Sequence, residues 1–369
     1  MENKAIVIGC ENGGFPLSGS GSVFSCLSAF RLGGYSFSEV RFLPFLDGAI
    51  SALSELNSQA ENLVVITERA LSSRLSEELV KMLSLPFTQA TVSGTGMFTA
   101  EGKTVFLLVA DDPSAGEEYV KNACIPHLDR KYGRRCSRMT IRAVGAEKSQ
   151  VDRLLETALR MSGDRLTYFL KTENDESIIE IVYDSTVPKM LADDVLRLFL
   201  EGLGDSVYAL DDTPLERQLV NLLKLRGKKI SVSESFTGGG IARRIVSVSG
   251  ASEVYFEGLN TYAERAKSRR LGVSEYTLKT YGAVSDETAY EMAAGLLATG
   301  DCDISIATTG IAGPKSDRSE LPVGLSYIAV GFREKIYVYR HRFDGTREEI
   351  TEKAINHALM SAYRLLKNM

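Results

Sequence analysis

Ser235 and Thr237 flank Phe236 at the end of an alternating run, Ile230-Ser-Val-Ser-Glu234, and three glycines, Gly238, Gly239 and Gly240, follow at once. A strand that runs through a glycine turn into a helix presents backbone N–H groups at the positive end of the helix dipole, and glycine keeps Cβ atoms out of a ligand's way. Such a turn suits a phosphate or an oxyanion; it is equally an ordinary tight connection between strand and helix. It is neither a P-loop, which needs Gly-Lys-Ser/Thr, nor a dinucleotide fingerprint, which needs GxGxxG. A hydroxyl placed here reads as a local cap or as a nucleophile. A nucleophile needs a base. The three histidines, His127, His341 and His357, have no motif around them, so a Ser-His-Asp triad is not indicated. Lysine serves as base when burial lowers its pKa, and Gly258-Leu-Asn-Thr-Tyr-Ala-Glu-Arg-Ala-Lys267 supplies Tyr262 and Lys267. The plainer reading of Lys267 is a solvated surface charge.

Two more stretches have the composition of a site. Thr308-Thr-Gly-Ile-Ala-Gly-Pro314 follows the apolar run Ile304-Ser-Ile-Ala307, so Thr309 and Gly310 fall at the carboxyl end of a strand, where open α/β sheets bind ligands. Phe343-Asp-Gly-Thr-Arg347 puts an arginine at a helix start, suited to holding a phosphate through two N–H groups. Singly, each has a plain explanation, a Gly-Pro turn and a helix-start charge. Their occurrence within one segment is the argument for a site.

The elements that must position these residues alternate. Ala5–Ile8, Leu63–Ile66 and Thr104–Val109 are short β-rich runs with helical patterns at 75–83 and 116–127 between them, which is the grammar of a parallel α/β sheet. Ser18-Gly-Ser-Gly-Ser22 reads as a loop. From about residue 138 the style changes to a small α+β piece, with strands near 139–142, 166–171 and 177–183 and helices over 147–161 and 189–203. A third piece opens at Thr213-Pro-Leu-Glu216, which reads as a threonine N-cap, a proline at the first helical position and a glutamate three residues after the cap. Strands over 228–233, 303–309, 324–331 and 335–343 then interleave with helices over 240–248, 285–298 and 347–367.

The 369 residues are 44% hydrophobic and 25% charged, with a net charge of -5, which suits a soluble globular protein of two or three domains and argues against electrostatic binding of nucleic acid or acidic lipid. Cys10, Cys26, Cys124, Cys136 and Cys302 are scattered, without a CxxC pair, so neither a disulfide framework nor a zinc site is expected and a reducing cytoplasm fits. Residues 1–9 read as a first strand rather than a signal peptide, and no apolar run has the length of a membrane span.

The segment 206–369 resembles the C-terminal domain of the CinA family of competence/damage-inducible proteins, which is similar to nicotinamide mononucleotide deamidases. The likeness rests on Glu234-Ser-Phe-Thr-Gly-Gly239, Tyr262 to Lys267 with Leu271-Gly-Val273, Gly282-Ala-Val-Ser285, Thr309 to Pro314, Pro322-Val-Gly324 and the arginine of the last helix. Phe236 stands where the family has cysteine, and Lys315-Ser-Asp-Arg318 replaces a glycine run. The resemblance implies a three-domain α/β chain: a molybdopterin-binding-like domain over 1–137, a small KH-like α+β domain over 138–205 and the CinA C-terminal domain over 206–369. The middle piece lacks the GXXG loop of RNA-binding KH domains and is expected to be a spacer. In the first, Thr67 to Glu78 replaces Gly-Gly-Leu-Gly-Pro-Thr-x-Asp-Asp, Gly9-Cys-Glu-Asn-Gly13 replaces Gly-Thr-Glu-Leu-Leu, and 85–103 is shortened. The family's metal-dependent pyrophosphatase activity is therefore expected to be lost, with Glu77 and Glu78 lying on a helix surface rather than replacing the metal ligands. For 206–369 the resemblance implies amide hydrolysis without metal or cofactor. Ser235 would attack, Lys267 would take its proton, and Tyr262 would orient Lys267. Amides of Thr237, Gly238 and Gly239 would hold the oxyanion, and Thr309, Gly310 and Arg347 the ribose-phosphate. A small pyridine nucleotide as partner, a homodimer and a cytoplasmic location are expected; the alternative is a non-catalytic scaffold or nucleotide sensor.

Overall fold

The computed structural model describes residues 2–9, 17–43, 48–85, 94–111, 113–314 and 321–369. The chain divides into two compact units, Met1–Arg138 with Asp164–Thr167 and Ile181–Ala192, and Met139–Gly163 with Tyr168–Glu180 and Asp193–Met369. Beyond Gly9, the Gly9–Gly13 stretch lies outside the described residues, as do 86–93 of the 85–103 stretch and all of Lys315–Arg318.

In the first unit β1 (Asn3–Ile8), β2 (Glu39–Leu43), β3 (Asn62–Thr67), β4 (Gly96–Ala100) and β5 (Lys103–Val109) form a sheet ordered β2-β1-β3-β5-β4. All pairs are parallel except β4 on β5, which is antiparallel. Every residue of β1 and β3 is buried, as a sheet covered on both faces requires. Around it lie α1 (Leu17–Leu32), α2 (Ala49–Gln59), α3 (Arg69–Met82), α4 (Pro113–Tyr119) and α5 (Ile125–Tyr132). Ser18–Ser22, expected as a loop, is the start of α1. The later turns of α1 bury Val23, Cys26, Leu27 and Phe30 against Ala5, Val7 and Phe106, and that packing carries the helix through glycines costing about 1 kcal/mol each. On α3, Glu77 is exposed and Glu78 pairs with Lys81 at 2.8 Å, both on the helix surface.

The chain continues through β6 (Cys136–Val144), α6 (Lys148–Ser162), β7 (Thr167–Glu173), β8 (Glu176–Asp184), α7 (Lys189–Leu203) and β9 (Val207–Ala209), giving a sheet ordered β7-β8-β6-β9. β9 follows the expected border at residue 205, yet it pairs antiparallel with β6.

Next come α8 (Leu215–Arg226), β10 (Ile230–Glu234), α9 (Gly240–Val246), β11 (Tyr255–Asn260), α10 (Glu264–Leu271), α11 (Glu275–Thr280), α12 (Asp286–Leu297), β12 (Ile304–Gly310), β13 (Leu325–Phe332), β14 (Lys335–Arg342) and α13 (Arg347–Lys367). Thr213 does not cap α8. Pro214 takes the cap position in an extended conformation (ψ 158°), the Thr213 amide donates to Asp211 Oδ1 at 2.8 Å, and Glu216 pairs with Arg244 instead. The sheet order is β11-β10-β12-β13-β14, with β10 parallel to both β11 and β12 and the last two strands antiparallel. One face packs α8, α9 and α13 through Leu219, Leu223, Ile241, Ile245, Ile355 and Leu359. The other packs α10 and α12 through Leu271, Met292 and Leu296.

Candidate active site

Because β10, β11 and β12 are parallel, their carboxyl ends share one edge of the sheet. Ser235 follows β10, Thr261 and Tyr262 follow β11, and Thr309 and Gly310 close β12. There a cavity of about 270 Å³ is lined by Ser235, Tyr262, Lys267, Thr309, Gly310 and Arg347, together with Phe236, Ala283, Val284 and residues 311–313. Six of the nine expected site residues thus meet in one place, and Thr237, Gly238 and Gly239 do not line it.

Lys267 is 1% exposed, on the inward face of α10. Its Nζ lies 2.9 Å from Ser235 Oγ and 2.7 Å from the Thr261 carbonyl oxygen. Burial pushes the amine down to about 8, against the opposing pull of Glu264. A lysine so placed is neutral in a large fraction of molecules near pH 8. A neutral amine that donates one N–H to the Thr261 carbonyl has its lone pair free for a neighbouring hydroxyl, an arrangement able to activate a serine without histidine. The surface-charge reading of Lys267 does not hold.

The glycine turn is built differently from the expectation. Glu234, 1% exposed at the end of β10, accepts N–H bonds from Gly239 and Ile241 at Oε2, 3.1 Å each, and from Ala242 at Oε1, 2.9 Å. The anion at the start of α9 is therefore the chain's own carboxylate. The Gly238 amide donates to the Ser235 carbonyl at 3.1 Å, closing a turn whose central residues are Phe236 and Thr237. Thr237 is buried with its hydroxyl 2.7 Å from that of Thr308. Gly238 and Gly239, at φ 61° and 94°, supply left-handed backbone that other residues resist, and a Cβ on Gly240 would meet Ile355 Cδ1 of α13 at 2.4 Å. The glycines shape the turn and seat α9 on α13; the amides of Gly238 and Gly239 are spent within the protein.

Thr309 is buried and donates to the Ala283 carbonyl at 2.6 Å, so its remaining capacity toward a ligand is as an acceptor. Arg347 opens α13 behind a Thr346–Glu349 capping box, and its Nη1 donates to the Gly313 carbonyl at 2.6 Å. Arg347 as a residue is exposed and lines the cavity. Tyr262 is 67% exposed, and the partner of the Lys267 amine is the carbonyl of the preceding residue, Thr261. Thr261 is buried just after β11, while Tyr262, the next residue, lines the cavity from its exposed side. Phe236 packs with Ala312, Phe343, Ile350 and Ala354, so the ring fills a small core under the cavity.

None of the three histidines lines the cavity. His127 contacts Thr104, while His341 and His357 pack against Phe343, with His357 3.1 Å from Asp175. Sequence reasoning missed the parts played by Thr261, Thr308, Ala283 and the Glu234 side chain. Only Glu234 carries a readable signal, an acid directly before a glycine turn and a helix.

The fold and site define a class: an open α/β sheet whose parallel strand ends hold a serine in contact with a buried lysine. The CinA C-terminal domain family matches residues 212–366. A competence-damage inducible protein of Caldanaerobacter subterraneus subsp. tengcongensis is 32% identical over 293 residues, 77% of this chain and 68% of its own. Another, from Caldicellulosiruptor saccharolyticus, is 38% identical over 245 residues, 66% of this chain and 59% of its own. The crystal structure of a CinA superfamily protein from Klebsiella pneumoniae is 31% identical, covering 42% of this chain and 97% of that one at a TM-score of 0.41. This chain belongs to the CinA family. It spans about three-fifths of the length of the Caldicellulosiruptor saccharolyticus relative. Among the described residues no helix is long and apolar enough to cross a membrane.

Proposed function

We propose that the protein hydrolyses the carboxamide of nicotinamide mononucleotide, giving nicotinate mononucleotide and ammonia, through Ser235 and Lys267. The observation that carries the reading is the 2.9 Å contact between Lys267 Nζ and Ser235 Oγ at the wall of the cavity, with the amine lowered to about 8 by burial. Lys267 takes the Ser235 proton as Oγ bonds to the carboxamide carbon and the carbonyl electrons move onto oxygen. Collapse of that intermediate breaks the C–N bond, and the proton held on Lys267 leaves with ammonia. Water then adds to the acyl-serine, giving its proton to Lys267, and the acid departs as Ser235 is re-protonated. The Phe236 amide, central in the turn and directly after the nucleophile, is the donor for the oxyanion. Arg347 meets the phosphate at the rim, Thr309 accepts from a ribose hydroxyl, and the exposed Tyr262 ring covers the mouth.

The chemistry is assigned to 206–369, with 138–205 as spacer and 1–137 without pyrophosphatase activity; homodimer formation belongs to the same proposal. The test is ammonia release from nicotinamide mononucleotide by the wild type, Ser235→Ala and Lys267→Ala. Release by the wild type alone supports the reading. No release by the wild type at saturating nucleotide favours the non-catalytic scaffold.

A further inference from the structure

We infer that Glu234 is a positioning residue that sets the Ser235–Lys267 contact from both of its ends. The inference rests on the serine–lysine reading and adds to it a residue that touches neither substrate nor reacting atoms. The side chain clamps the turn by accepting from Gly239, Ile241 and Ala242, the last two being the second and third residues of α9. The main-chain carbonyl of Glu234 accepts the Thr261 amide at 2.8 Å. The Thr261 carbonyl in turn accepts from Lys267 Nζ at 2.7 Å, and that amine lies 2.9 Å from Ser235 Oγ, one covalent step from Glu234. The ring closes: Glu234 to Thr261 to Lys267 to Ser235 and back.

The energetics favour a firm clamp. A buried carboxylate needs its lone pairs filled, and three amides at a helix start fill them with aligned partial positive charge. Gly238 and Gly239 have left-handed backbone, so the turn has few steric alternatives to fall into once the clamp holds it. Releasing the carboxylate frees the turn to move Oγ relative to Nζ, and a displacement of about 1 Å from a productive arrangement costs about 10²-fold in rate. Glu264 is the charged side chain that acts on the Lys267 amine, so removing the Glu234 charge leaves the titration of that amine in place.

The experiment uses the full chain and two readouts: ammonia release from nicotinamide mononucleotide, and labelling of Ser235 by a fluorophosphonate, in which Oγ–P forms as fluoride leaves. Glu234→Gln keeps the size and removes an acceptor. It is expected to lower kcat and the labelling rate by about 10²-fold per folded molecule, with KM unchanged and the pH midpoint still near 8. Glu234→Asp restores the charge and recovers part of the rate. If Glu234→Gln does not fold, Ala242→Pro removes the 2.9 Å donor in the first turn of α9, where proline is tolerated, and is expected to show the same kcat loss at constant KM on a smaller scale. A folded Glu234→Gln, or in its absence Ala242→Pro, that labels at the wild-type rate overturns the inference alone. A wild type that labels without releasing ammonia overturns only the substrate, and one that does neither removes the serine–lysine reading and this inference together.

Discussion

Two strand-to-helix turns, one in each compact unit, leave parallel strands at their carboxyl ends and solve the same electrostatic problem differently. Between β3 and α3 a single residue, Glu68, makes the turn. The Arg69 amide at the start of α3 donates to Asp111 Oδ1 at 3.2 Å, and the Thr67 hydroxyl donates to the Ile8 carbonyl at 3.2 Å. Between β10 and α9 five residues, 235–239, make the turn, and the carboxylate at the helix start comes from Glu234, the strand's own last residue. Both helix starts take an internal carboxylate. When it comes from a neighbouring strand's loop the turn can shrink to a single residue; when it comes from the preceding residue the turn is five residues long, and it carries Ser235.

The largest effect expected from breaking the second turn is chemical. Ser235→Ala and Lys267→Ala are each expected to lower ammonia release by about 10³-fold or more, measured at saturating nicotinamide mononucleotide, while Glu68→Ala in the first turn leaves it unchanged. Stability should move the other way at Lys267. Its folded pKa is about 8 against 10.5, so between those values the unfolded chain holds the proton that the folded chain has lost, and stability rises with pH across that window. Below pH 8 both states are charged and the burial cost is present in full. Lys267→Met is therefore expected to raise the unfolding free energy at pH 7 by on the order of 2–3 kcal/mol, read by urea denaturation. Unchanged or lower stability would contradict the burial account.

A smaller contrast separates the backbones. Gly239→Ala places a Cβ at φ 94° and is expected to cost about 1–2 kcal/mol, whereas Glu68→Ala, at φ -82° with no side-chain cap bond, stays within about 0.5 kcal/mol. The smallest expected effect is at Glu78, whose surface pair with Lys81 makes Glu78→Gln worth less than about 1 kcal/mol. Equal costs at Gly239 and Glu68 would erase the contrast.

Much of this frame was legible in the residues. Ile230–Glu234 alternates, the glycines mark the turn, and the Thr309, Gly310 and Arg347 stretches each sit where a strand ends or a helix begins. What could not be read was whatever backbone atoms and register decide. The Thr261 carbonyl that holds Lys267 has no side-chain signature, so the role fell to its neighbour Tyr262. β11 is not legible because Gly258 interrupts its run; a Cβ there would meet the Tyr255 hydroxyl at 2.1 Å and crowd Ala242 and Val232 at 3.2 and 3.3 Å. The turn amides read as free for a ligand because the acid before the glycine turn signals only a charge near a helix start, not that the Glu234 side chain takes the amides of Gly239, Ile241 and Ala242. In the first unit Ser18–Ser22 joined a helix through packing made further along α1, beyond the reach of local propensity.

The most direct measurement is the mass of the protein quenched during turnover of nicotinamide mononucleotide, followed by peptide mapping. An acyl adduct on Ser235 that is absent from Ser235→Ala is the predicted result. Sustained ammonia release with Ser235 unmodified, and an equal rate from Ser235→Ala, would contradict it.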